Sequence, residues 1–341
     1  MEKMKLVKNT RVRAFALVAV SGVLAALAAG CGGSASAGSG GKVALVAYST
    51  PQEAYEQLIP AFQKTAAGKG VSFTQSYGAS GDQSRAVASG LPADVVAFSL
   101  DPDVTKLVKA GLVDPSWDQN RWHGFVTDSV VVLAVRKGNP KHIHDWSDLV
   151  KPGVQVIEPN PFTSGGARWN VMAAYGAQLE EGRTPAQAEA YLNELFKHVV
   201  VQDKSARDAL QTFTSGKGDV MIAYENEAIT AQQKGKSIDY VIPRNTILIQ
   251  NPVAITKSAK PAAKAFVNFL HTPAAQRIYA AKGYRPVIPS LVDRAQFPTP
   301  PGLFTIGDVG GWNQVMTKFF DPDHGVVAKI EQGLGVSTAK G

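Results

Sequence analysis

The chain has 341 residues, of which 45% are hydrophobic and 18% charged, and its formal net charge is +7. About 300 residues beyond a leader exceed what one hydrophobic core usually spans, so the length predicts two lobes. No cluster of Lys and Arg with interleaved aromatic residues occurs, so the positive charge does not indicate nucleic-acid binding.

The first thirty residues have the composition of a bacterial targeting segment. A basic start is followed by an uncharged run, residues 14–30, that is too short to span a bilayer comfortably. It ends in "LAAGC", where Cys31 is the only cysteine of the chain. Residues 1–30 resemble a lipoprotein signal peptide, which implies cleavage before Cys31, lipidation of that residue and anchoring to the outer face of the cell membrane. The alternative is an ordinary cleaved secretory signal followed by an unmodified cysteine.

Removal of this leader changes the charge of the protein. Residues 1–30 carry five basic residues and one acidic residue, so their net charge is +4 and the formal +7 falls to +3. Residues 31–41 are rich in Gly and Ser, which is typical of a flexible tether. We expect this tether to carry a globular domain from the lipid anchor, which is the only membrane contact predicted.

Beyond the tether, short β-branched runs alternate with helical patterns. Nearly continuous apolar strands separated by helices are typical of buried parallel sheets, so the pattern predicts an α/β fold. The candidate strands are residues 43–48, 71–77, 94–100, 129–138, 154–160, 198–203, 219–224, 238–243 and 250–256. Capping boxes with Pro at the first helical position are predicted at residues 50–53 and 184–187.

Several strands run directly into small or hydroxylic residues that open a helix. These turns are "AYSTPQ", "SYGASGDQ", "NPFTSGGAR", "DKSARD" and "AYENEA". A helix N-terminus offers unpaired N–H groups and a partial positive charge, and ligands of open α/β sheets bind at the carboxyl ends of the strands. Ser164, Gly165 and Gly166 are therefore the best candidates for an anion site, and Ser80 is the next. A plain capped turn is the alternative for each one taken alone.

Motifs of several enzyme classes are absent from the sequence. There is no G-x-S-x-G elbow, P-loop or dinucleotide fingerprint, and none of the six histidines has zinc-ligand spacing. The two carboxylates of "ENE" (225–227) do not share a helix face. A hydrolase that uses Ser164 as nucleophile stays the weaker alternative, since no histidine is placed to serve as its base. The sequence predicts no enzyme, metal or cofactor.

A long block carries a family resemblance. Residues 135–170, "VRKGNPKHIHDWSDLVKPGVQVIEPNPFTSGGARWN", resemble the central signature of bacterial sulfate-binding proteins, the extracytoplasmic receptors of ABC sulfate/thiosulfate importers. "GDVMIAYENEA" and "YRPVIPS" match the same family in order, and the similarity runs from about Val43 to Trp312. The resemblance implies a two-lobed periplasmic-binding-protein fold of type II with a sulfate or thiosulfate anion in the cleft. It also implies delivery to the permease, no chemical reaction and a monomer.

The resemblance also implies which residues hold the anion. The expected ligand residues are Ser49, Ser80, Ser164, Gly165, Gly166, Ala206 and Tyr224. Relatives have a tryptophan at the position of Tyr224, and a phenol can accept a hydrogen bond as well as donate one. This substitution leaves open the choice between sulfate and thiosulfate, and the alternative function is a receptor for molybdate or phosphate. We expect Arg168 and Arg207 to stiffen the donor loops through backbone carbonyls without touching the anion.

The order of the predicted strands gives the expected lobes. One lobe is predicted at residues 42–130 plus 254–341 and the other at 131–253, with each crossover near a long apolar strand. Closure of the lobes around the ligand is expected to be a hinge motion.

Overall fold

The computed structural model describes residues 41–336 and residue 338, so the predicted leader and Cys31 lie outside the described residues. This part of the chain contains strands β1 (Lys42–Tyr48), β2 (Ser72–Gly78), β3 (Val95–Ala97), β4 (Phe125–Arg136), β5 (Val156–Ile157), β6 (Val199–Val201), β7 (Val220–Tyr224), β8 (Ile238–Val241), β9 (Asn245–Ile255), β10 (Arg285–Pro286) and β11 (Gly302–Phe304). Its α-helices are α1 (Gln52–Gln63), α2 (Ser80–Ala88), α3 (Asp101–Lys109), α4 (Gly165–Glu180), α5 (Pro185–Lys197), α6 (Ala206–Thr214), α7 (Glu225–Gln233), α8 (Pro261–Leu270), α9 (Pro273–Ala281), α10 (Gly311–Phe320) and α11 (Val326–Gly333). None of these helices is long and apolar enough to cross a membrane.

Eight of these strands form one path in the order β2-β1-β3-β9-β4-β7-β5-β6, while β8 and β10 pair with β4 and β11 pairs with β9. Strand β1 is parallel to β2 and β3, and β5 is parallel to β6 and β7. The long strands β4 and β9 are antiparallel to each other, β4 is antiparallel to β7 and β9 to β3, and together they join the two parallel groups. We call the group β1–β3 the β1 side and the group β5–β7 the β7 side. The α/β fold is confirmed, and all nine predicted strands are present.

Strand β4 changes its partner along its length. It pairs with β9 up to Val130 and with β7 from Val131 onward. Helices α1, α8 and α9 pack on the β1 side through residues such as Phe62 and Phe266. Helices α4, α5, α10 and α11 share another core, in which the rings of Trp169 and Trp312 are 4.6 Å apart. The segment 254–341 thus contributes to both cores, and the lobe boundaries stay a prediction.

The two predicted capping boxes differ in outcome. The one at Thr184 is confirmed: its Oγ1 accepts from the N–H of Gln187, whose side chain accepts from the N–H of Thr184. The one at residues 50–53 is wrong, because α1 begins after Pro51 without a side-chain cap. Tertiary contacts engage the two side chains of the predicted box instead: the hydroxyl of Thr50 lies 3.5 Å from Glu227, and the carboxylate of Glu53 pairs with Arg207.

Candidate functional site

Turns from the β1 side and from the β7 side meet at one small cavity with about 200 Å³ of empty space. All the residues that line it are uncharged. Six of the seven predicted ligand residues are among them: Ser49, Ser80, Ser164, Gly165, Gly166 and Ala206. The cavity therefore suits a small ligand that is recognised by backbone and hydroxyl groups.

Helix α4 points its first turn at this cavity. Ser164 is its N-cap, and the Ser164 Oγ accepts from the N–H of Ala167 at 3.3 Å. That bond leaves the hydroxyl hydrogen of Ser164 available. Gly165 and Gly166 occupy the first two helical positions, whose N–H groups have no acceptor inside the helix. The turn thus presents a hydroxyl and two backbone donors at the positive end of a helix that is buried along almost its whole length.

The two glycines of this turn differ in the space around them. A Cβ on Gly165 would lie 2.7 Å from Leu100 Cδ2 and 2.9 Å from Ser99 Oγ, both on the β1 side of the cavity. A Cβ on Gly166 would make only ordinary contacts, 3.4 Å or more from its nearest neighbours. Close approach of the β1 side thus requires glycine at position 165 but not at position 166.

The hydroxyl of Ser80 is not directed at the cavity. Its Oγ donates to Asp103 Oδ2 at 2.6 Å and accepts from the N–H of Ser99 at 3.0 Å. Ser80 is also the first residue of α2, so its backbone N–H has no acceptor in that helix. The next residue, Gly81, donates to the carbonyl of Thr163 at 3.2 Å, which joins the two sides directly. The backbone N–H is the donor that Ser80 can offer a ligand.

The third helix terminus at the cavity is that of α6, which begins at Ala206. Arg207 reaches across from it and donates to the carbonyl of Ser49 from Nε at 3.1 Å and from Nη2 at 2.9 Å. Its Nη1 donates to Glu53 at 3.1 Å. The guanidinium therefore holds the Ser49 turn through a carbonyl and a carboxylate, and it does not line the cavity.

Arg168 is engaged in a comparable way. Its Nε donates to the carbonyl of Pro161 at 2.8 Å, within the loop that leads into α4. The side chain is buried, and this burial lowers the pKa of the Arg168 guanidinium. Its charge lies over the ring of Phe320, away from the cavity lining. The Arg168 side chain thus fixes the shape of the donor loop.

Tyr224 lies beside the cavity but does not line it. It ends β7 and precedes α7, and a ring carbon lies 3.6 Å from where a Cβ on Gly166 would be. Its hydroxyl lies 2.7 Å from the Oγ of Ser99. Burial raises the pKa of the Tyr224 hydroxyl well above its usual value, so the phenol stays protonated. The ligand roles of Tyr224 and of the six lining residues stay predictions.

Sequence reasoning missed Ser99 and Asp103. Ser99 is fully buried and contacts Ser80, Tyr224 and the indole N–H of Trp169. It follows the carboxyl end of β3 by two residues, so the rule that predicted the other turns could have found it. Asp103 has no comparable sequence signal, because the acidic first turn of α3 looks like a solvated helix start.

A larger cavity lies apart from the small one, between α1, α6 and α7, and has about 1080 Å³ of empty space. The carboxylates of Glu53 and Glu227 line it, and Glu53 already pairs with Arg207 and Lys234. Arg207, Lys234 and Lys236 also line this cavity, but none of the seven predicted ligand residues does, so we place the candidate site in the small cavity. Within residues 41–336 and 338, no group of three or more His, Cys, Asp or Glu side chains could hold a metal ion.

Glu227 gives this region a pH dependence. Its carboxylate accepts from the N–H of Tyr224 at 3.1 Å, and burial raises the pKa of Glu227 to about 7. The unfolded value is about 4.3, so the protonated carboxyl favours the folded state. This stabilising contribution is complete below the unfolded pKa and is lost as the pH rises through 7.

Replacement of Glu227 by Gln should remove that contribution while keeping an acceptor for the Tyr224 N–H. From pH 5 to pH 8 the free energy of unfolding of the wild-type protein should fall by about 2 kcal/mol more than that of Glu227→Gln. Chemical denaturation of both proteins at the two pH values measures the difference. Asp101, Asp128 and Glu331, whose pKa values are also raised to about 7, are shared by both proteins. Equal losses in the two proteins would contradict the assignment to Glu227.

Comparison with known proteins identifies close relatives. A family model described as "Bacterial extracellular solute-binding protein" matches residues 43–285. A sulfate-binding protein of Synechococcus elongatus is 45% identical over 324 residues, which cover 90% of this chain and 92% of that protein. A thiosulfate-binding protein of Escherichia coli is 36% identical and covers 80% of this chain and 86% of its own length.

A solved structure is similar to this chain in fold as well as in sequence. The sulfate-binding protein SubI from Mycobacterium tuberculosis H37Rv matches with a TM-score of 0.80 and 45% sequence identity. The match covers 82% of this chain and all of that one. The predicted two-lobed periplasmic-binding-protein fold is therefore confirmed.

Proposed function

Because the chain belongs to the bacterial sulfate-binding proteins, we propose that it binds sulfate or thiosulfate outside the cytoplasmic membrane and delivers it to an ABC importer. It is a binding protein and not an enzyme. The observation that carries the proposal is the uncharged cavity into which the first turns of α2, α4 and α6 open. Three helix N-termini that open into one small cavity suit an anion, because their free N–H groups and partial positive charge stabilise it.

Removal of a dianion from water costs much free energy unless hydrogen-bond donors replace its hydration shell. Backbone N–H groups at Ser80, Gly165, Gly166 and Ala206 and the hydroxyl of Ser164 are such donors, and the helix termini add a partial positive charge. A ligand held without a counter-ion can be released, which suits delivery to a permease. Arg168 and Arg207 support the loops that carry these donors.

The donor set also bears on phosphate as an alternative ligand. Phosphate keeps a proton near neutral pH and needs an acceptor for it, classically a carboxylate, whereas sulfate needs donors only. Three carboxylates close to the donor turns are engaged: Asp82 pairs with Arg85 and Lys204, Asp208 accepts from the Ser205 hydroxyl at 2.7 Å, and Asp103 accepts from the Ser80 hydroxyl at 2.6 Å. These contacts favour sulfate over phosphate.

We also propose how the protein is attached to the membrane and that it acts as a single copy. The protein would be anchored through a lipid on Cys31 and act as a monomer, with residues 31–41 as tether. The support is the sequence of the leader and the lipoprotein-like "LAAGC". Fatty-acid labelling of the expressed protein, compared with Cys31→Ser, tests the anchor.

Replacement of Ser164 by Ala tests the donor role of its hydroxyl. We expect sulfate binding to weaken by about 1–3 kcal/mol, as for loss of a hydrogen bond to a charged group. Isothermal titration calorimetry with sodium sulfate measures the change. Ser80→Ala acts through the Ser80–Asp103 contact and should also weaken binding.

Ser205→Ala is the matched control for Ser164→Ala. Ser205 caps α6 as Ser164 caps α4, and it also lines the cavity. Its hydroxyl hydrogen, however, is committed to Asp208. Ser205→Ala therefore removes a cap without removing a free donor and should change sulfate affinity less than Ser164→Ala. Unchanged affinity in both Ser164→Ala and Ser80→Ala would refute the site.

A further inference from the structure

Tyr48 lines the small cavity, although the sequence predicts no role for it. It is the last residue of β1 and is 6% exposed. The sheet fixes its position, since Tyr48 pairs with Gly78 of β2 and the preceding Ala47 pairs with both β2 and β3. The Tyr48 side chain belongs to the buried core that contains Trp169 of α4, whereas Leu45 and Ala47 belong to another core. Tyr48 therefore extends from the β1 side toward the helix whose first turn faces the cavity.

The hydroxyl of Tyr48 is buried and makes no hydrogen bond within the described residues. Other hydroxyls that line the cavity already donate to carboxylates, that of Ser80 to Asp103 and that of Ser205 to Asp208. An unpaired buried hydroxyl is destabilising, and most such groups in proteins have a partner. Burial raises the pKa of the Tyr48 hydroxyl well above its usual value, so the phenol keeps its hydrogen. Tyr48 thus has a hydrogen to donate at the wall of the cavity.

Tyr224, the tyrosine that the family resemblance places among the ligand residues, is less suited to this task. Its hydroxyl lies 2.7 Å from the Oγ of Ser99, and Tyr224 does not line the cavity. We propose that Tyr48 is a ligand residue whose hydroxyl donates to the anion from the β1 side, whereas Ser164 donates from the β7 side. This inference rests on the proposed function and adds a second side-chain donor to it.

Tyr48→Phe tests this role, because it removes the hydroxyl and keeps the ring. Calorimetric titration with sodium sulfate at pH 7 should give a Kd about tenfold higher or more, as for loss of a hydrogen bond to a charged group. Without sulfate, Tyr48→Phe should unfold at the wild-type temperature or above it, because the free protein loses an unpaired group and no hydrogen bond. The increase in unfolding temperature that sulfate produces should be smaller in the variant.

Tyr279→Phe is the matched control. Tyr279 is 1% exposed, and its hydroxyl also has no partner in the part of the chain that the structure describes. Tyr279 does not line the small cavity, so the Kd for sulfate should stay within about twofold of the wild type. Equal losses of affinity in Tyr48→Phe and Tyr279→Phe would attribute the effect to the aromatic core and overturn the inference.

Two further comparisons separate the Tyr48 hydroxyl from other phenols. Tyr224→Phe should change the Kd less than Tyr48→Phe does, and a larger change would assign the donor to Tyr224 and overturn the inference. The phenol of Tyr284 contributes to the raised pKa of Tyr48, which makes Tyr284 the alternative partner. If Tyr48 served Tyr284, Tyr48→Phe would lower the unfolding temperature and leave the Kd unchanged, which would also overturn the inference.

A crystal structure of the wild type with sulfate gives an independent measurement if Tyr48→Phe folds poorly. The Tyr48 oxygen should lie about 2.7 Å from a sulfate oxygen, and a separation beyond about 3.5 Å would contradict the donor role. Sulfate binding by the wild type with an unchanged Kd in Tyr48→Phe would overturn this inference and leave the proposed function standing. Absence of sulfate binding by the wild type would overturn both.

Discussion

Gly165→Ala should reduce sulfate affinity by at least about 3 kcal/mol, on the order of 100-fold. The added Cβ would lie 2.7–2.9 Å from side-chain atoms of Leu100 and Ser99, both of which are fully buried. The β1 side and the first turn of α4 would have to move apart, and this would displace the N–H groups of Gly165 and Gly166 from the anion. Calorimetric titration with sulfate measures the loss.

Gly166→Ala is the control for this effect, since it adds the same methyl group one residue later. Its Cβ would meet neighbours at 3.4–3.6 Å, which is ordinary contact. We expect a loss of affinity below about 1 kcal/mol and a slight gain in stability from the better helix former. Equal losses in the two variants would contradict the role of close approach at position 165.

Arg285→Met should lower the free energy of unfolding by about 3–5 kcal/mol, the cost of leaving one partner of a buried ion pair alone. Arg285 Nε and Nη2 donate to the two carboxylate oxygens of Glu225 at 2.7 and 3.0 Å. Glu225 is fully buried and begins α7 directly after Tyr224. The pair therefore ties the start of that helix to β10. Urea denaturation at pH 7 measures the loss.

The double variant Arg285→Met with Glu225→Gln separates charge from packing. Glu225→Gln removes the carboxylate that the single variant leaves unpaired, so the double variant should be clearly more stable than the single one. The single variant should also regain stability at low pH, where Glu225 becomes protonated. If single and double variants were destabilised equally, the effect would come from lost packing and not from the unpaired carboxylate.

The sequence pattern predicted the strands well because burial on both faces leaves a readable signature. All nine predicted strands exist, from β1 to β9. The short strands β10 and β11 were not predicted because they contain no β-branched residue, whereas the equally short strands β3, β5 and β6 do. Mostly parallel sheets were predicted, but five of the ten strand pairs in the described residues are antiparallel. All five involve β4 or β9, whose antiparallel course depends on long-range topology that local periodicity does not encode.

The candidate site could be predicted in part. The turns at Ser80, Ser164 and Ala206 carry a local signal, a small residue where a strand gives way to a helix, and the structure places them around one cavity. The hydrogen-bond partner of each hydroxyl, in contrast, cannot be predicted from the local sequence. That Ser80 donates to Asp103 while the Ser164 hydrogen stays available depends on contacts between distant segments. The same holds for Thr50, whose predicted cap is replaced by a contact with Glu227.

The most direct test of the account is a crystal structure of the protein grown with sulfate, with anomalous scattering used to locate the sulfur. We expect a tetrahedral ion in the small cavity, with oxygens about 3 Å from the N–H groups of Gly165 and Gly166 and from the Ser164 hydroxyl. The guanidinium groups of Arg168 and Arg207 should remain on the carbonyls of Pro161 and Ser49. An anomalous peak elsewhere, or a bidentate contact of either arginine with the ion, would contradict the proposal that neutral donors alone hold the anion.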